Sequence, residues 1–88
     1  MMTQEEIFEK LKQTLEETFE IEPETITMDS RLGEDLDIDS IDAIDLLAQL
    51  RPLIGRRKIN PKDFYTMRTV GDVVRGIEEL IKTPESPQ

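Results

Sequence analysis

The densest run of side chains able to do chemistry is Glu34-Asp35-Leu36-Asp37-Ile38-Asp39-Ser40-Ile41-Asp42, followed by Asp45, with no basic residue among 34–45. Three chemistries suit such a run. Asp35, Asp37 and Asp39 alternate as in a calcium loop, but that loop needs Gly at its sixth position and Glu at its twelfth. Ser40 and Leu46 stand there instead. Two carboxylates could also form an acid–base pair, but nothing in the sequence points to a pocket that would raise the pKa of one of them. In the third reading Ser40, in the first turn of a helix, is an acceptor. A phosphodiester on its hydroxyl would lie near free backbone N–H groups and the positive end of the helix dipole. Serine also starts helices for purely structural reasons, so position alone leaves both roles open.

The inventory narrows the choice. The 88 residues include neither Cys nor His. This excludes a disulfide, a thiolate nucleophile, a Ser-His-Asp triad and the usual zinc sites. The Ser40 hydroxyl therefore has no ordinary base to activate it. It is a poor nucleophile by itself but a well-placed acceptor for another enzyme, and any thiol must come from outside. The net charge of −9 repels nucleic acid and anionic membrane surfaces and attracts basic protein surfaces.

The elements that must hold this segment are helical. Thr3-Gln4-Glu5-Glu6 fits a capping box, and Ile7, Leu11 and Leu15, with Phe8 and Phe19 nearby, predict one buried helix face. A long connection follows, roughly 20–38, containing Pro23 and Gly33. Loops of this length usually serve a function. Ile21, Ile26, Met28, Leu32, Leu36 and Ile38 are expected to pin it over the helices. A second helix starts at Asp39 or Ser40, with Asp39 as N-cap and Ile41, Ile44, Leu47 and Ala48 as its apolar face. Pro52 should kink it, and Gly55 should cap it near Ile54. Asn60-Pro61 opens a short third helix over about 61–66 that turns Phe64 inward. Thr69 caps a last helix, with Asp72 at the capping-box position and Val70, Val73, Val74, Ile77, Leu80 and Ile81 facing the core.

The fold class expected is all-α: a small four-helix bundle of three long helices and one short, in a single domain over 1–82, with a tail over 83–88 that has no reason to fold. The N-terminal segment has no apolar signal core. The most apolar stretch, 43–48, falls far short of the roughly 20 residues of a membrane span. A cytoplasmic monomer without membrane insertion is expected.

Leu36-Asp37-Ile38-Asp39-Ser40-Ile41-Asp42 resembles the phosphopantetheine attachment motif of acyl carrier proteins, which is Asp-Ser-Leu or a close variant. The resemblance runs from the first helix to about Lys82 and includes the long first loop and Thr69-Val70-Gly71-Asp72-Val73. It implies that Ser40, with Asp39 beside it, carries 4′-phosphopantetheine placed there from coenzyme A by a magnesium-dependent phosphopantetheinyl transferase. The arm's thiol bears acyl groups for acyl-transferring and ketosynthase-type enzymes, and the carrier catalyses nothing itself. It further implies that partners read Asp39, Asp42 and Asp45, spaced by three along one exposed side of the second helix. An acyl chain would slip among the helices near Ile44, Leu47, Ile59 and Phe64.

The sequence departs from the common pattern in three places. Asp37 stands where Gly usually follows Leu, and Ile41 replaces Leu after the serine. The second half of the second helix, usually acidic, gives way to Arg51, Pro52, Arg56, Arg57 and Lys58. These bases, Arg51 foremost, can bind an acidic partner or a nucleotide, or simply balance nearby acids. The change suggests a specialised branch of fatty-acid, polyketide or polyene-type lipid synthesis, resembling the carriers of aryl-polyene-type clusters. The competing function is an unmodified acidic helical interaction module in which Ser40 only starts a helix.

Overall fold

The computed structural model describes residues 3–55, 63 and 66–82. Helix α1 spans Gln4–Phe19. Thr3 and Glu6 close its capping box: the Glu6 N–H donates to Thr3 Oγ1 at 3.2 Å and the Thr3 N–H to Glu6 Oε1 at 3.0 Å. Ile7, Leu11 and Leu15 are fully buried, and Phe8 and Phe19 pack at the margin of the core. The helix stops where Glu20 turns left-handed, at φ 55°.

The long loop carries one turn of 3₁₀ helix, Pro23–Thr25, and is pinned as its apolar spacing predicts. Ile26, Leu32, Leu36 and Ile38 are buried, while Ile21 and Met28 pack half-buried against them. Backbone bonds strap it to the start of the last helix. Leu32 N–H donates to the Arg68 carbonyl at 2.8 Å, Val70 N–H to Ser30 at 2.9 Å and Gly71 N–H to Met28 at 2.8 Å. A single bridge pairs Arg31 with Thr69, and among the described residues it does not grow into a strand. Gly71 permits the close approach, since a Cβ there would lie 2.9 Å from the Met28 carbonyl oxygen.

Helix α2 spans Ser40–Gln49, and a single further turn, α3, spans Arg51–Ile54. The interruption at Leu50 is the kink expected from Pro52, which has no N–H to give and crowds the carbonyl one turn back. The ladder tightens there, with Leu53 N–H bonding the Leu50 carbonyl at 2.9 Å. Gly55 ends the turn at φ 63°. Helix α4 spans Val70–Lys82. Its capping box is formed by Thr69 and Asp72, whose two reciprocal bonds are each 3.1 Å. Val70, Val73, Val74 and Ile77 are fully buried, and Leu80 and Ile81 are half-buried. α1 packs on α4 and α2, and α3 closes against α4.

The architecture is thus the expected all-α bundle, with four α-helices among the described residues, one of them a single turn. The short helix expected over 61–66, with Phe64, lies outside the described residues except for Asp63 and Thr66. The face assigned to α2 is corrected. Its buried residues are Ala43 and Leu46, continued by Leu50 and Ile54, whereas Ile41 is 76% exposed and Ile44 56%. Ala48 is exposed and Leu47 half-buried. The helix is apolar on more than one side, so spacing alone allows two phases. The buried loop residues Leu36 and Ile38 join the core together with the phase that includes Ala43 and Leu46.

Candidate functional site

The site is built by the step from loop to helix. Asp37 adopts a left-handed conformation, φ 57°, at the position where Gly is common in the motif. Asp is among the few residues other than Gly that enter this region without severe strain. The turn is closed from behind: Ile38 N–H bonds the Leu32 carbonyl at 2.9 Å, and Ile38 is buried. The chain then emerges at Asp39 as the N-cap of α2. Asp39 Oδ1 accepts from Ile41 N–H at 3.0 Å and Asp42 N–H at 2.9 Å, and the Asp42 carboxylate reaches back to Asp39 N–H at 3.4 Å. Ser40 is the first residue of the helix and is exposed.

This arrangement corrects one expectation about the helix start. Two of the backbone donors there, those of Ile41 and Asp42, are not free for an anion, because the Asp39 carboxylate already holds them. The positive end of the helix is largely answered from within the chain.

Ser40 lies on the rim of an open cleft of about 400 Å³. Leu32, Ile38 and Ala43 give the cleft apolar lining, and Arg31, Glu34, Asp39, Met67 and Arg68 complete its rim. Arg31 is already engaged, with its guanidinium 2.7 Å from Glu34 and 3.5 Å from Asp35. The Arg31 backbone N–H also donates to Asp35 at 2.7 Å. That bond, with the Arg31 charge, holds the Asp35 carboxyl below the usual carboxylate range. A carboxyl so stabilised in its charged form is a poor general acid, so it lends nothing to the acid–base reading. Nor do three carboxylates converge on one point among the described residues, as a calcium loop would require.

The other serine among the described residues offers no alternative tether. Ser30 is 6% exposed, and its hydroxyl donates to the Thr25 carbonyl at 2.6 Å while accepting from Thr27 N–H at 2.9 Å.

A family model described as "Phosphopantetheine attachment site" matches residues 9–77, which contain this whole arrangement. The chain belongs to that family. Among the relatives it resembles is acyl carrier protein 2 of Ralstonia nicotianae, 44% identical over 80 residues that cover 91% of this chain and 98% of that protein. The acyl carrier protein of Rhodococcus erythropolis is 41% identical over 78 residues, covering 89% of this chain and 85% of that one. The meromycolate extension acyl carrier protein of Mycobacterium tuberculosis is 40% identical over 88 residues, covering 99% of this chain and 76% of that one. Family membership brings with it a covalently held 4′-phosphopantetheine, and an exposed hydroxyl beside a partly apolar cleft suits such a group.

The remaining expected site residues fall into three groups. Asp39 and Asp45 are exposed and Asp42 is half-buried along the start of α2, and Arg51 is exposed at the start of α3. Of the expected acyl-cavity residues, Leu47 packs at the margin of the core and Ile44 is largely exposed. Ile59 and Phe64 lie outside the described residues, as do Arg56, Arg57 and Lys58. Sequence reasoning missed Met67 and Arg68. They reach the cleft only because the Leu32–Arg68 and Val70–Ser30 backbone bonds draw the start of α4 against the loop. No local pattern announces that contact.

Proposed function

We propose that Ser40 is the attachment point of the 4′-phosphopantetheine arm and that the chain carries acyl groups between biosynthetic enzymes. The reading is carried by one observation: an exposed hydroxyl on the first residue of a helix, with its flanking carboxylates tied into the capping box and a cleft running from its side. The arm supplies the thiol, absent from this chain, on which an acyl group is held as a thioester. The chain's own residues do three things. Asp39 fixes the helix start, Asp37 sets the turn that delivers it, and Ser40 accepts the phosphodiester from a separate transferase acting on coenzyme A.

Partner enzymes are proposed to dock on the exposed side of α2. Ile41 and Ile44 present apolar surface there among Asp39, Asp42 and Asp45. A small apolar centre ringed by one sign of charge suits a protein partner with basic rim residues. The partner classes are the phosphopantetheinyl transferase, acyl-transferring enzymes and ketosynthase-type enzymes, and the pathway is fatty-acid synthesis or a related elongation. Relatives named for acyl carriage and for meromycolate extension support that range. We place the protein in the cytoplasm as a monomer. Among the described residues no helix is long and apolar enough to cross a membrane.

The test is intact-mass measurement after incubation with coenzyme A, magnesium and a broad-specificity phosphopantetheinyl transferase. The wild-type chain should gain one phosphopantetheine, and Ser40→Ala should gain none. A folded wild-type chain that stays unmodified contradicts the carrier reading and favours the plain interaction module.

A further inference from the structure

We propose that Arg68 is the cationic partner of the phosphodiester formed on Ser40 and holds the resting arm along the cleft beside α2. The proposal rests on the Ser40 reading and goes beyond it by naming what answers the phosphate charge. A phosphodiester on Ser40 shares the cleft with Glu34 and Asp39, in a chain of net charge −9. Of the N–H groups at the helix start that would ordinarily answer its charge, those of Ile41 and Asp42 are held by the Asp39 carboxylate. Two arginines, Arg31 and Arg68, line the cleft with Ser40. Arg31 is committed to Glu34 and Asp35. The Arg68 side chain makes no hydrogen bond or ion pair among the described residues, yet its backbone is held at both ends. Its N–H donates to Asp72 at 3.0 Å, and its carbonyl accepts from Leu32 N–H at 2.8 Å. An arginine on a fixed backbone that lines the same cleft as the tether, with its side chain unpaired among the described residues, is suited to a fork-like grip on phosphate oxygens. Because Arg68 is exposed, the grip is weak and screened by salt. A carrier needs such weakness, since its arm must leave the cleft to enter a partner.

Arg68 is thus a positioning residue, and its test reads arm position rather than turnover. Amide spectra of the ¹⁵N-labelled chain are compared before and after loading for wild type, Arg68→Gln and Arg68→Lys, with loading verified by mass. In wild type the arm should shift the amides of Leu32, Gly33, Ala43 and Met67, and the Arg68 side-chain N–H should move with them. The cleft shifts should at least halve in Arg68→Gln, persist in part in Arg68→Lys, and fade as salt rises to about 0.5 M. Loading that leaves the wild-type cleft undisturbed, or equal shifts in Arg68→Gln, overturns the Arg68 assignment while the Ser40 reading stands. Failure to load sinks both.

Discussion

Ser40 is exposed, and its side chain makes no hydrogen bond among the described residues, so the fold should not miss it. Ser40→Ala is expected to change unfolding free energy by less than about 0.5 kcal/mol in a denaturant titration. A larger loss would mean that the hydroxyl is structural and that failed loading of this variant says little about the tether. Asp37 behaves differently, because its backbone rather than its side chain is the constraint. At φ 57° a glycine is at home and a β-branched residue is not. Asp37→Gly should hold or raise stability, by up to about 1 kcal/mol, and Asp37→Val should lower it by about 1–2 kcal/mol. Equal melting points for the two variants would contradict the left-handed turn. The motif residues were legible in the sequence because capping and acidity are local properties. Arg68 was not, because it meets the Ser40 cleft only through backbone bonds between distant segments.

The elements add what single residues cannot. α2 carries two candidate apolar stripes, and periodicity could not choose between them. The choice is made by the loop, since the buried Leu36 and Ile38 belong to the same core as Leu46. Leu46→Ala should therefore cost about 2–5 kcal/mol, while Ile44→Ala should cost little and weaken partner binding instead. Reversed costs would restore the phase first expected. α1 and α4 were legible throughout because each has one apolar side and a capping box at its start. The α4 box also makes a pH prediction. The Asp72 carboxyl is held below its ordinary range, chiefly by the Arg68 backbone N–H and further by Thr69 and the Arg75 guanidinium. A depressed folded-state pKa adds stability that is present above the unfolded value, near 4, and lost as pH falls through the folded value. Asp72→Asn should thus lower stability at pH 7, by about 0.5 kcal/mol for so exposed a group, and match wild type near pH 2. A gap that is the same at both pH values would contradict the charge-based origin.

At the scale of the whole molecule, charge governs encounter. The net charge of −9 and the exposed acids of α2 form a field that attracts basic partner surfaces over about a Debye length. The initial rate of loading by the transferase should fall several-fold between about 0.05 M and 0.5 M salt, with little change in the final extent. A rate indifferent to salt would remove the steering role from these acids.

The central claim is that one hydroxyl is the tether, and the sequence makes it directly measurable. Trypsin cuts after Arg31 and after Arg56 but not at Arg51, which precedes proline, and Ser40 is the only hydroxyl-bearing residue in the fragment 32–56. Mass spectrometry of that fragment after loading should find the full phosphopantetheine mass on it and on no other peptide. The same mass on a different fragment, with 32–56 unchanged, would place the tether elsewhere and overturn the account.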